Sequence, residues 1–455
     1  MNYFTITNLI ITVLFSAMGL LTAHFAVFAA IGLFKKRVFP KTEQKLKYGI
    51  VIPARNEGNV VGNLVDSIRK CDYPQEKLEI FVIAHNCTDN TAEMARLAGA
   101  HVYEYNNPDE KTKGYALHYL FNRISKDYGI KSFDGFVFFD ADNILDKKYF
   151  EKINNAFVAC DKRAVITPFR NTKNFGSNIM SAMYGLYFAY GCRFESRGRS
   201  VVGCSTRVQG TGHVVSSDIL KDGWNYLTLT EDWEFTADQI IADTPIVYCD
   251  EAVFYDEQPT DFGIMWRQRL RWARGHFLVC ISHFGNMVKG LFKSRKKGGC
   301  KRKLSVFDIS VNIMPVCLMT ASIFLLQQIF LLLSPLFGKS LADAYVEFFL
   351  GSFKAFILSY ISLFLLSILL FALESKRFPK VSLPIQIGSA LLFPIFILIS
   401  VPMEIVSIFC KNLGWKTIPH TDTTDFEKLN EHHDVAKEDS ALKNPKAVAE
   451  SKKAS

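Results

Sequence analysis

Residues 48–90 read YGIVIPARNEGNVVGNLVDSIRKCDYPQEKLEIFVIAHNCTDN, and this stretch decides the fold. Tyr48 to Pro53 is a short apolar run closed by a proline, the pattern of a buried strand. Asn59 to Lys70 then carries apolar residues at helical spacing. Leu78 to Ala84 is a second strand, Thr91 to Ala98 a helix and His101 to Tyr105 a third strand. Strand alternating with helix at this pace predicts an α/β domain on a parallel, doubly wound, Rossmann-like sheet. Ligands of such sheets bind beyond the carboxyl ends of the strands. The residues found there are polar. The first strand runs into Ala54-Arg55-Asn56-Glu57, the second into His85-Asn86-Cys87-Thr88-Asp89, and Phe136 to Phe139 (FVFF) into Asp140-Ala141-Asp142-Asn143.

Outside the soluble pattern of Lys45 to about Phe284, the composition changes. From Asn8 to Phe34 His24 is the one ionisable side chain. That is a stretch of about 27 residues where roughly 20 suffice to cross a bilayer. Lys35, Lys36 and Arg37 follow the apolar run, whereas a signal peptide carries its basic residues first. A retained transmembrane helix is therefore expected, with the following domain on the cytoplasmic side. Three further apolar stretches lie at Leu304 to Phe337, Phe349 to Leu373 and Leu383 to Cys410. The formal charge of +9 concentrates beside them, above all in KSRKKGGCKRK from Lys293 to Lys303. Next to a span such a run meets anionic headgroups, so membrane lipid is the expected partner and nucleic acid is not. The ten cysteines are scattered without a C-x-x-C pair, as expected of reduced thiols. The segment from Lys411 to Ser455 is polar and nearly free of aromatic residues, a composition poor in apolar surface to bury.

Five features carry chemistry. Asp140 and Asp142, one residue apart at the mouth of a strand, offer hard oxygen ligands to Mg²⁺ or Mn²⁺; a turn after a strand is the plainer alternative. Thr230-Glu231-Asp232 offers a carboxylate for general-base work, or Thr230 simply caps a helix with acids in its first turn. Gln268-Arg269-Leu270-Arg271-Trp272 lies in a basic, aromatic, helix-like stretch from Asp261 to Phe284. There Arg271 suits a diphosphate and Trp272 a sugar ring, and a helix lying on the membrane surface is the alternative. Gly210-Thr211-Gly212, after a probable strand, permits close backbone approach or a tight turn, and Lys113-Gly114 meets a phosphate or solvent.

Taken in order and spacing, the set resembles the inverting family 2 glycosyltransferases with a GT-A fold, in the branch of the cellulose, chitin and hyaluronan synthases. The matching residues are P-x-x-N-E at Pro53 to Glu57, D-x-D at Asp140 and Asp142, and G-T-G at Gly210 to Gly212. T-E-D at Thr230 to Asp232 and Q-x-x-R-W at Gln268 to Trp272 complete them. The flanking Tyr255 to Gly275 and WKTIPH at Trp415 to His420 also look like the family. The resemblance implies a metal at Asp140 and Asp142, and Asp232 as catalytic base with Glu231 beside it. It implies a nucleotide-sugar site at Pro53, Arg55, Glu57, Asp89, Lys113, Asp140, Gln268 and Arg271. An acceptor site would lie at Gly210, Thr211, Gly212 and Trp272.

The implied reaction draws on a UDP-sugar donor, UDP-glucose or UDP-N-acetylglucosamine, and extends a β-linked glycan across the membrane, with accessory export subunits as compatible partners. The implied organisation is an anchor at 1–36, a catalytic domain at 45–257, interface helices at 258–303, a membrane region at 304–410 and a polar segment at 411–455. The sequence departs from the family where a uridine-contacting aspartate would follow the second strand, a place held by His85, with Asp89 as the substitute. The gating sequence of cellulose synthase is not visible after Trp272, nor is a domain binding a cyclic dinucleotide. The nearest rival keeps the chemistry and transfers one sugar to a lipid.

Overall fold

The computed structural model describes residues 2–293, 299–379, 381–410, 418 and 420–429. Residues 294–298 of the expected basic cluster, most of WKTIPH and most of the expected polar segment lie outside the described residues. Among the described residues eight strands form one sheet: β1 (Tyr48–Ala54), β2 (Leu78–His85), β3 (His101–Tyr105), β4 (Gly135–Phe138), β5 (Ile144–Leu145), β6 (Val165–Thr172), β7 (His213–Ser216) and β8 (Ile246–Asp256). Their order is β3-β2-β1-β4-β7-β6-β8-β5.

The expected all-parallel sheet is corrected to a mixed one. Strands β1 to β4 are parallel, as are β6 and β8, but β7 runs antiparallel to β4 and β6, and β5 antiparallel to β8. The reversal has a consequence for position. Because β7 runs backwards, its first residue, His213, pairs with the last residue of β4, Phe138. Gly210 to Gly212 thus precede a strand rather than follow one, and they arrive beside Asp140 at the ligand-binding edge. Asp256 likewise ends β8 opposite Thr172 of β6, bringing Glu257 to the same edge.

Helices cover both faces. Side chains alternate along β1: Tyr48, Ile50 and Ile52 join one core with α2 (Val61–Arg69), α3 (Thr91–Leu97) and α5 (Tyr149–Ala159), with α4 (Lys113–Asp127) on the opposite face against Val51. Helices α6 (Ile179–Tyr190), α7 (Arg197–Val202), α8 (Glu231–Ile241) and α9 (Phe262–Phe292) follow, and a π-helical turn, Gly191–Ser196, joins α6 to α7. A third core then links the α/β region to the apolar helices: Tyr184 and Phe188 of α6 pack with Leu370, Phe393, Phe396 and Met403.

Among the described residues three helices are long and apolar enough to cross a membrane: α1 (Tyr3–Phe34), α12 (Leu341–Glu374) and the run of α13 (Leu383–Leu398) into α14 (Ser400–Phe409). A fourth would be the pair α10 (Gly299–Ile313) and α11 (Val316–Leu332), bent by 58° at Pro315. The break falls at a residue that cannot donate a helical hydrogen bond. Large side chains such as Leu20, Phe349 and Leu358 are exposed on these helices, a surface suited to lipid.

Where these helices meet the α/β region, buried charges are closely paired. Asp250 accepts from Arg197 Nη2 at 2.7 Å and Arg377 Nη2 at 2.7 Å, one on each carboxylate oxygen. Glu374 accepts from Arg193 at 2.7 Å, and Asp308 receives two nitrogens of Arg199 at 2.7 and 2.8 Å with His24 at 3.0 Å.

Candidate active site

The edge where β1, β4 and β8 end opens into a cavity of about 720 Å³. Loops at the strand ends and several helices build it. After β4, Asp140 is held by its backbone N–H, which donates to Thr211 Oγ1 at 2.8 Å and Asn143 Oδ1 at 3.2 Å. Thr211 is thus a support beneath Asp140. Gly210 and Gly212 take φ of 82° and 73°, left-handed values that only glycine adopts freely, and a Cβ on Gly212 would strike the Phe254 ring. Gly212 N–H closes the turn on Phe138 O at 2.7 Å. The tight-turn reading of this segment therefore holds.

Lys113, at the start of α4, organises the centre. Its Nζ donates to Asp140 Oδ1 at 2.5 Å and to Gly210 O at 3.0 Å, and lies 3.8 Å from Glu231 Oε1. Burial would favour neutral lysine, but Asp140 and Glu231 outweigh it and raise the pKa, so the side chain is an ammonium. One cation thus joins the D-x-D loop to the T-E-D helix.

Glu231, Asp232 and Glu234 stand in the first turn of α8, as expected. Thr230 occupies the cap position without a side-chain capping bond; its Oγ1 has no partner among the described residues, and the side chain instead packs against Gly275. Burial pushes Glu231 up to about 7, against the pull of Lys113 and with the push of Asp232. Asp232 is also raised, by burial, against Lys113 and Arg207. The two titrate as a pair.

The Q-x-x-R-W residues recur at helical spacing, so Gln268, Arg271 and Trp272 share one face of α9 and line the cavity. Arg271 donates to Leu229 O at 3.0 Å, steadying the segment before Thr230, and Gln268 accepts from Tyr184 at 2.7 Å. Arg269 donates to Phe396 O and Ser400 Oγ at 2.5 Å each. The helix is therefore partly an anchor to α13 and α14 and partly a wall of the site.

Asp142 is buried beneath the cavity. Its Oδ2 accepts from Glu257 N at 2.7 Å and its Oδ1 from Asn143 at 3.1 Å. Burial opposes its charge, yet His420 and Lys173 more than compensate and lower its pKa. Glu57 pairs with His420 Nδ1 at 2.9 Å, and Glu257 accepts from Thr421 N at 3.0 Å and Asp422 N at 3.1 Å. A segment from beyond the last apolar helix is thereby strapped across the strand ends.

Pro53, Arg55 and His85 also line the cavity. His85 stays neutral at ordinary pH, burial having lowered its pKa, and stacks on Tyr105. Asp89 does not reach the cavity lining. Its carboxylate accepts from Gly58 N, Thr91 N and Thr91 Oγ1 and so orders the loop after β2. Arg170, which no motif in the sequence marks, bonds Asp256 and donates to Gln209 O at 2.9 Å. A lone arginine inside an otherwise buried strand was its signal.

Asp140 and Asp142 fit a divalent ion by their chemistry, two carboxylates at one cavity with Asp142 held ionised. Among the described residues no three His, Cys, Asp or Glu side chains form a ready cage. Two carboxylates completed by substrate phosphates match the habit of Mg²⁺.

Residues 46–275 match a family model described as glycosyltransferase like family 2. The chain is 25% identical over 267 residues to a poly-beta-1,6-N-acetyl-D-glucosamine synthase of Staphylococcus epidermidis, covering 56% of this chain and 61% of that one. It is 25% identical over 305 residues to a beta-monoglucosyldiacylglycerol synthase of Synechocystis sp., covering 63% and 59%. The chain spans about three fifths of the length of these curated relatives. A mannosyltransferase from Pyrobaculum calidifontis, solved in complex with GDP-Man and Mn²⁺, aligns with 89% of this chain and 100% of its own at a TM-score of 0.55 and 13% identity, a likeness of fold.

Proposed function

We propose, from the premise that this chain belongs to the glycosyltransferase like family 2, that it is an inverting enzyme passing sugar from a UDP-sugar to a growing β-linked glycan. Its catalytic domain, residues 45–257, works on the cytosolic side of a cell membrane held by apolar helices. The interface helices at 258–303 and the membrane region at 304–410 form the path by which product leaves. The observation that carries this reading is the reach of Lys113: one buried ammonium contacts Asp140 and Gly210 and lies 3.8 Å from Glu231.

Asp232 takes the proton from an acceptor hydroxyl as that oxygen attacks the anomeric carbon from the face opposite the nucleotide. Its raised pKa makes it a stronger base than an ordinary carboxylate. Lys113 and Arg271 meet the negative charge growing on the departing diphosphate, in a site where low dielectric strengthens them. Trp272 offers a flat face to the acceptor ring. Pro53, Arg55 and Glu57 border the donor, and His85 takes the place beside the base. A Mg²⁺ or Mn²⁺ ion on Asp140 and Asp142 would supply Lewis-acid stabilisation of the leaving group.

A second reading, single transfer to a lipid, is favoured by the similarity to a glycolipid synthase. Incubating the purified protein with radiolabelled UDP-sugars and Mn²⁺ and sizing the products tests both. A ladder of saccharides is expected; one labelled lipid would establish the second reading, and no transfer from any donor would overturn the proposal.

A further inference from the structure

The run of α13 into α14 is long and apolar enough to cross a membrane, but its contacts place it elsewhere. The three other apolar segments, α1, α10 with α11, and α12, share a far end. There Tyr3 of α1 donates to Phe330 O at 2.6 Å and stacks on Phe337, and Lys339, just before α12, lies 5.2 Å from the centre of the Phe4 ring. At their other end all three return to the α/β region. A Cβ on Gly32 of α1 would strike Arg193 O, Asp308 of α10 accepts from Arg199 at 2.7 Å, and Glu374 of α12 accepts from Arg193 at 2.7 Å. Each therefore runs the whole way between the α/β region and the far end.

The run of α13 into α14 does not. Arg377, before it, donates to Asp250 at 2.7 Å, and Gly388 within it lies against Ile179 of α6. Arg269 of α9 donates to Phe396 O and Ser400 Oγ in its middle, and Arg274 of α9 to Ser407 O and Ile408 O near its end, at 3.4 Å each. Beyond it His420 pairs with Glu57. Among the described residues no hydrogen bond or ring contact joins it to Tyr3, Phe330 or Phe337. The run has 27 residues, about 40 Å, where the hydrocarbon of a bilayer is about 30 Å thick. A crossing would leave its end at the far side, and the ten residues from Cys410 to His420 would have to return, half of the roughly 20 that a second helical crossing takes. The side chains fit a helix lying flat. Phe393, Phe396 and Met403 are buried with Tyr184 and Phe188 of α6, whereas Ile387, Leu391, Ile395, Val406 and Phe409 recur at helical spacing on an exposed side. A helix apolar on both sides meets protein with one and lipid with the other. We infer that the run of α13 into α14 does not cross the membrane but lies along the leaflet on the catalytic domain's side. Its exposed side is seated among lipid acyl chains, and its buried side, through Ser400 and Met403, floors the active-site cavity. The chain then crosses three times, and the segment from His420 stays with the catalytic domain.

Two measurements on the full-length chain test this, and neither involves sugar transfer. Epitope tags are placed after Ser455 and, separately, between Gly338 and Lys339, and sealed membrane vesicles are treated with protease. The tag after Ser455 should be lost from the vesicles in which the catalytic domain is cut, with the tag at Gly338 protected there and lost from vesicles of the opposite orientation. A tag after Ser455 lost together with the one at Gly338 would overturn the inference. Spin labels on Ile387→Cys, Ile395→Cys and Val406→Cys, in a chain whose other cysteines are serine, then report depth in phosphatidylcholine and phosphatidylglycerol vesicles through collisions with oxygen and with a nickel chelate. All three should share one depth, about 5–10 Å into the boundary of headgroups and acyl chains. Ile395 at the bilayer centre with the other two shallower would overturn the flat placement. Labels reached by neither reagent would show the face covered by protein and overturn lipid as its partner. The tag assay keeps the native cysteines, so it decides the matter where their replacement prevents folding.

Discussion

Two of the charge clusters among the described residues, one around Asp250 and one around Asp232, are built on opposite terms. Asp250 has an arginine on each carboxylate oxygen; burial would raise its pKa, but Arg377 and Arg197 pull it down to about 2. Burial raises the pKa of Glu231 and Asp232, and Lys113 and Arg271, shared among several acids, do not offset it. A closed arginine–carboxylate set fixes how helices meet. An under-compensated one stores basicity for an incoming proton. The first cluster reads as joinery, the second as machinery.

Substitutions can break this contrast. Asp142→Ala should cost about 10³-fold in turnover, ~4 kcal/mol, and abolish the response to Mn²⁺; titrating activity with the ion checks it. Asp250→Asn should do the reverse. Removing one charge from a buried set costs about 3 kcal/mol of stability, seen as a lowered melting temperature in detergent, while turnover per folded molecule stays near wild type. If Asp250→Asn instead lost turnover with unchanged melting, the division between clusters would fail.

The pH profile sharpens it further. A base must be ionised to accept a proton, and an acid whose pKa is raised is ionised only above that raised value. Activity should therefore decline as pH falls through a value above the ordinary carboxylate range, where Asp232 takes up its proton. A profile flat down to the ordinary carboxylate range, about 4, would contradict the raised pair. The smallest effect is expected at the strap. His420→Gln removes the partner of Glu57 and should raise the donor KM roughly fivefold, about 1 kcal/mol, with little change in kcat.

The contrast also explains what was legible in the sequence. Strands β1 to β3 were readable because each is a local apolar run bounded by turn residues, and Asp140, Asp142, Glu231 and Asp232 because their spacing is compact. The antiparallel course of β7 was not readable, since pairing with β4 depends on residues about 75 positions apart. The same non-locality hid Arg170, the support that Thr211 gives Asp140, and the return of His420 to Glu57. Asp89 misled for the opposite reason: its type suited a ligand contact, but an aspartate two residues before a helix satisfies its own loop first.

The most direct test of the account is Asp232→Asn, assayed for UDP-sugar binding by calorimetry and for transfer under the same conditions. Donor affinity near wild type with turnover reduced by about 10³-fold is the predicted result. Turnover within about twofold of wild type would contradict the assignment of Asp232 as the base.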